Sequence, residues 1–190
     1  MTNSDGITDH VRAREEEHFR KKDRELIEKL RQADAAAKAR KALEQETGLH
    51  DPVMLEELSA LGFTPDTIAL LPIIPVLQVA WATSGISSAE RTLITNLARA
   101  RGIKAGSAAD DQLFEWLEHR PVEETFHKAT RLIAAIVDSP DGDHLHVTAD
   151  KLIENCDRIA HASGGIFGIH RVSAEEKAAI AEIAAAVKKR

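Results

Sequence analysis

Residues 9–47 read DHVRAREEEHFRKKDRELIEKLRQADAAAKARKALEQET, a run without glycine or proline. Most of its residues are Glu, Lys, Arg, Leu and Ala, which favour helices. Gly48, which follows directly, is a typical helix terminator. The run predicts one helix of about 38 residues, about 57 Å long at 1.5 Å per residue. We therefore expect residues 1–47 to form an extended, charged helical arm.

The arm has few apolar residues. Phe19, Leu26, Leu30, Ala33 and Ala37 follow one face of the predicted helix as a narrow stripe. Because so polar a helix gains little from burial, it needs support from ion pairs four residues apart or from a partner. The alternative is that the arm folds back on the rest of the chain and places Phe19 and Leu26 in its core.

Residues 48–190 are punctuated as a series of shorter helices. Ser87 with Glu90, and Ser173 with Glu176, have the spacing of capping boxes. Other predicted helix starts are Thr64, Ser107, Pro121 and Thr148. The predicted fold class is all-α, with a long charged N-terminal helix followed by a compact bundle of about six or seven helices.

Composition supports this fold and limits the function. Of the 190 residues, 43% are hydrophobic and only 4% aromatic, which suits helix packing better than sheet. The net charge is -6, and residues 48–190 hold 14 basic and 20 acidic side chains. Nucleic-acid binding without sequence preference depends on Lys and Arg neutralising phosphates, so we expect no nucleic-acid partner.

No segment predicts a membrane span or secretion. The most apolar stretch, 68–82, contains Pro72 and Pro75, which should kink or split it, and it is shorter than the roughly 20 residues that a spanning helix needs. Residues 1–10 are polar, and Cys156 is the single cysteine. We expect a cytoplasmic protein without membrane insertion.

Few residues suggest chemistry. Glu15 with His18, and Glu124 with His127, have the three-residue spacing used in di-iron bundles, but such sites need two further Glu from other helices. The acidic and His-rich residues 141–146 are best explained as a solvated turn, with adventitious metal binding as the alternative. No nucleophile elbow, phosphate-binding loop or zinc motif occurs. The sequence predicts neither an enzyme nor a bound cofactor or metal.

Two stretches share one pattern, a helix followed by a glycine turn and a capped helix. The first is Gln78-Val-Ala-Trp-Ala82 with the Gly85-Ile86 turn and Glu90, and the second spans residues 162–176. With these motifs, residues 61–187 resemble the TerB-like family of all-helical domains, named from tellurite resistance. The resemblance implies a compact helical scaffold.

In that family an Ala-Asp-Gly turn and nearby acidic residues are associated with metal binding. Here Thr83 and Ser84 precede Gly85, and neither turn keeps the Asp. Since hard cations prefer negatively charged oxygen ligands, we expect no metal site. The acidic residues that remain beside the turns are Glu90, Glu175 and Glu176.

Residues 14–31 of the arm resemble the inhibitory segment of the mitochondrial ATPase-inhibitor family and of related bacterial ATP-synthase regulators. The matching residues are the acidic pair Glu15 and Glu16, His18 where Tyr is usual, Phe19-Arg20, Arg24-Glu25, Ile27 and Leu30. The resemblance implies that these residues bind a partner, the F1-ATPase, as a helix in a groove. Binding of that kind blocks ATP hydrolysis without chemistry by the inhibitor.

The leading hypothesis is a non-enzymatic regulator. Its helical arm, residues 1–47, binds and inhibits F1-type ATP synthase, and residues 48–190 form a TerB-like second module. One alternative is a TerB-like metal-binding or stress-response protein. Another is a structural adaptor whose arm binds an unknown protein partner.

Overall fold

The computed structural model describes residues 5–139, 145–162 and 172–188, with side chains from Glu16 onward. These residues form eight α-helices and one 3-10 helix, and no strand occurs among them. The helices are α1 Asp5–Thr47, α2 Pro52–Ala60, the 3-10 helix Ile68–Ile73, α3 Ile74–Ala80, α4 Ser88–Ala100, α5 Ala108–Glu118, α6 Glu123–Asp138, α7 Ala149–Ala162 and α8 Ala174–Val187. The predicted all-α class, with a long N-terminal helix before a helical bundle, is confirmed.

The chain divides into two compact units, Met1–Ala39 and Arg40–Arg190. The change of unit falls inside α1, eight residues before the predicted boundary. The reason lies in the last two turns of α1, where Leu43 and Thr47 are buried. Gly48 then ends the helix at φ 68°, and its N–H donates to Glu44 O at 2.9 Å. This is the terminator role that the sequence predicts.

The core of the second unit is built around α3. All seven residues of α3 are buried, and the helix packs against α4, α6, α7, α8 and the 3-10 helix. Pro72 lies inside the 3-10 helix and Pro75 in the first turn of α3. Because each proline lacks a backbone N–H, the predicted split of this apolar stretch is confirmed.

Predicted capping residues stand at the starts of four of the eight α-helices described. Both predicted capping boxes are present, at the starts of α4 and α8. The Ser107 hydroxyl accepts from Asp110 N, and Thr148 Oγ1 accepts from Lys151 N. These four predicted helix starts are confirmed.

Two predicted helix starts are wrong. Thr64 opens a turn, in which Thr67 N donates to Thr64 O at 3.0 Å, and the prolines delay the α-helix until Ile74. Helix α6 begins at Glu123, because Pro121 and Val122 lie before its first turn. The predicted turn beyond Ser139, and most of the second copy of the shared motif, lie outside the described residues.

Candidate partner-binding helix

The part of α1 in the first unit is a single helix held by its own backbone and by pairs of charged side chains. Arg20 Nη2 lies 3.7 Å from Glu16 Oε2, and Lys38 Nζ lies 2.7 Å from Asp34 Oδ2, each pair four residues apart. Exposed pairs of this type contribute about 0–1 kcal/mol each. The helix therefore has the local ion pairs that the sequence predicts, but each adds little stability.

An apolar stripe lies exposed on this helix. Phe19 is 63% exposed, Leu26 57% and Leu30 61%, and Ile27 beside them is 48% exposed. Phe19, Leu26 and Leu30 are seven and four residues apart, which places them on one helix face along about 16 Å. Exposed large apolar side chains in a row are typical of an interaction surface. We call these four residues the apolar stripe.

Polar and charged side chains flank the apolar stripe. The His18 ring meets the Phe19 ring edge-on, with centroids 6.5 Å apart. Arg24 Nε donates to the Arg20 carbonyl oxygen at 3.3 Å. Arg20 and Glu16 are both largely exposed, so their weak ion pair can be exchanged for a partner's charges.

All nine predicted binding residues lie on α1. For Glu15 the structure describes the backbone only, and Glu25 is exposed among the flanking charges. Phe19 and Leu26 are exposed side chains of the first unit, whereas Leu43, in the second unit, belongs to the hydrophobic core.

The apolar stripe can supply substantial binding energy. An aromatic side chain buries about 150–250 Å². At about 25 cal/mol per Å², covering the exposed part of Phe19 contributes about 2–4 kcal/mol. Leu26 and Leu30 extend the same face, and together the residues form a helix surface that fits an apolar groove.

Two observations concern metal ligation and thiol chemistry in the described part of the chain. There, no group of three or more His, Cys, Asp or Glu side chains is arranged to hold a metal ion. Cys156 is buried, and desolvation raises the pKa of its thiol to about 12. A thiol with that pKa remains protonated and is a poor nucleophile.

Two buried carboxylates close the capping boxes of α4 and α8. Glu90 Oε2 accepts from Ser87 N and Glu176 Oε2 accepts from Ser173 N, each at 2.7 Å. Burial raises the pKa of Glu90, hydrogen bonds from Ser87 oppose the rise, and the nearby charge of Glu176 adds to it. The raised pKa of Glu90 makes stability sensitive to pH.

No known protein family, curated protein or solved structure matches the chain. The resemblances of residues 14–31 and 61–187 therefore stay predictions. In the part of the chain that the structure describes, no helix has both the length and the apolar character to cross a bilayer.

Sequence reasoning missed a cavity with both polar and apolar lining between α3, α6 and α8. The available signal was Gln78, the one polar side chain in the buried helix α3. A second was His127, considered only as half of a metal-binding pair.

Proposed function

We propose that the protein is a cytoplasmic, non-enzymatic regulator that binds F1-ATPase through the apolar stripe of α1 and restrains ATP hydrolysis. The observation that carries the proposal is the exposure of Phe19, Leu26, Ile27 and Leu30 on one charged helix. Their sequence context, residues 14–31, resembles the inhibitory segment of the ATPase-inhibitor family. That resemblance selects the partner, while the exposed stripe supplies the surface.

Inhibition needs no catalytic group on this chain. A helix seated between subunits of a rotary enzyme stops hydrolysis by preventing their relative movement. Phe19 is the main anchor of the apolar stripe, since buried aromatic and Arg side chains contribute most of the binding energy at protein interfaces. The mixed charges around it, including Arg20 and Arg24, orient the helix during association.

The direct test is ATP hydrolysis by F1-ATPase from the protein's own organism. A peptide spanning residues 9–46 is expected to inhibit, and the fragment 40–190, which lacks the apolar stripe, is not. Equal hydrolysis with and without the peptide, at concentrations where circular dichroism shows it to be helical, contradicts the proposal. Inhibition by the fragment 40–190 alone also contradicts it, because the activity then belongs to the second unit.

A pull-down separates this function from the adaptor alternative. The full chain and the fragment 40–190 serve as matched baits on lysate from the same organism. Recovery of F1 subunits by the full chain alone supports the proposal. Recovery of another protein by the full chain, without F1 subunits, favours an adaptor.

A further inference from the structure

A cavity of about 240 Å³ lies between α3, α6 and α8 in the second unit. Its polar lining residues are Gln78 from α3, His127, Thr130 and Arg131 from α6, and Glu182 from α8. A cavity of about 150 Å³ holds a benzene molecule, so this one accepts a ligand of about eight to ten non-hydrogen atoms.

Two polar side chains beside the cavity make no hydrogen bond to the described residues, and of these the Thr130 hydroxyl is fully buried, while the Gln78 amide still reaches solvent. Gln78 is only 7% exposed, and none of the described residues bonds its side-chain amide. Thr130 is 6% exposed, and its hydroxyl is buried without a partner. A buried hydroxyl without a partner is unfavourable, and the unbonded Gln78 amide beside it can donate to and accept from a ligand in the cavity.

Side chains of opposite charge, Glu182 and Arg131, line the cavity. The Glu182 carboxylate lies 3.1 Å from His127 Nδ1 through Oε1. Arg131 pairs with Glu57 through one terminal nitrogen. Since a guanidinium carries five N–H donors and a carboxylate two acceptor oxygens, each group keeps capacity for a ligand.

The rest of the lining is apolar. Ala134, Ile183 and Ala186 supply small aliphatic surfaces. The cavity thus combines an anionic group, a cationic group, an unpaired amide and a short apolar wall. A small molecule with an ammonium, a carboxylate and an aliphatic side chain matches all four.

We propose that this cavity binds a small zwitterion of the aliphatic amino-acid class. The ligand's ammonium group faces Glu182, and its carboxylate faces Arg131. The Gln78 amide bonds the inner polar edge, and the aliphatic side chain rests on Ile183. The site lies apart from the apolar stripe in sequence and chemistry, so the proposal does not depend on F1-ATPase binding.

Calorimetry on the full chain tests the ligand class. The probes are L-alanine, L-valine and L-leucine, together with valinamide, which lacks the carboxylate, and N-acetylvaline, which lacks the ammonium. At least one amino acid is expected to bind saturably, with a dissociation constant of about 1 mM or tighter. Valinamide and N-acetylvaline are expected to bind at least about tenfold more weakly than valine. The proposal is overturned if none of the three amino acids binds saturably. It is also overturned if valinamide and N-acetylvaline bind as tightly as valine.

Variants locate the site. Gln78→Leu keeps a similar volume and removes the unpaired amide, so the unliganded protein is expected to retain its melting temperature. Gln78→Leu and Glu182→Gln are each expected to weaken amino-acid binding about tenfold or more. Glu175→Gln, an exposed carboxylate on the same helix α8, is the matched control and leaves binding unchanged. Unchanged affinity in both Gln78→Leu and Glu182→Gln overturns the proposal even if an amino acid binds.

Discussion

Removing residues 1–47 is expected to destabilise the second unit far more than removing residues 1–39. The eight residues between these cuts include Leu43, which is 1% exposed and belongs to the hydrophobic core. They also include Thr47, whose hydroxyl donates to Leu43 O at 2.7 Å and accepts from Leu49 N at 3.2 Å. The cut at 47 therefore removes a core side chain and a buried hydrogen-bonded cap.

The size of the loss follows from these contacts. Truncating a buried Leu costs about 2–5 kcal/mol. Losing the Thr47 hydrogen bonds adds about 1 kcal/mol. For a domain of this size each kcal/mol lowers the melting temperature by about 2–4 °C, so the cut at 47 is expected to lower it by about 10 °C or more.

Thermal unfolding followed by circular dichroism at 222 nm measures the difference between the full chain and the fragments 40–190 and 48–190. The fragment 40–190 is expected to melt cooperatively, close to the principal transition of the full chain. In the full chain, Leu43→Ala should reproduce most of the loss seen in 48–190. Leu30→Ala, a matched change on the exposed apolar stripe, should leave that transition unchanged. Identical melting of 40–190 and 48–190 would refute the assignment of Leu43 to the core.

Three further predictions concern the second unit. Because burial raises the pKa of Glu90 above 4.5, the stability that the protonated Glu90 carboxyl contributes is present below pH 4.5 and is lost as pH rises through the raised pKa. The Glu90→Gln variant should therefore have a higher melting temperature than the wild type at about pH 7 and the same melting temperature at about pH 4. The pKa of Asp110 is lowered by the hydrogen bond from Gly106 N and by Arg99, so Asp110→Asn should lower the melting temperature at neutral pH, and the deficit should shrink as pH falls below 3.8. Thr130→Val removes a buried, unpartnered hydroxyl and should stabilise the protein by about 1 kcal/mol in urea unfolding; a loss of stability would mean that the hydroxyl has a partner.

The elements that depend on near neighbours could be predicted from the sequence. A capping box such as Ser87 with Glu90 is complete within four residues, and α1 follows from a long run of helix formers. The prediction of a helix start at Thr64 is wrong because the capping residue Thr64 is followed, eight and eleven residues further on, by Pro72 and Pro75, which oppose a continuous α-helix. Where local preferences conflict, the sequence alone does not show which prevails.

The sites depend on contacts that the sequence cannot reveal. Phe19 and Leu26 have the same spacing in an exposed stripe as in a core face, so the pattern alone left both alternatives open. The cavity brings together Gln78, Thr130 and Glu182, which are far apart in the chain. Only the packing of α3, α6 and α8 shows that the Thr130 hydroxyl is buried without a partner among the described residues and that the Gln78 amide lies beside it unbonded.

The central claim is that Phe19 on the apolar stripe anchors the protein to F1-ATPase. Its most direct test is the affinity of the immobilised full chain for purified F1-ATPase, measured by interferometry for wild type, Phe19→Ala and Phe114→Ala. Phe114, 46% exposed on α5, is the matched control. The account predicts that Phe19→Ala weakens binding about thirtyfold, which corresponds to about 2 kcal/mol, while Phe114→Ala leaves it unchanged. Equal affinity of wild type and Phe19→Ala, or no binding by wild type, would contradict the account.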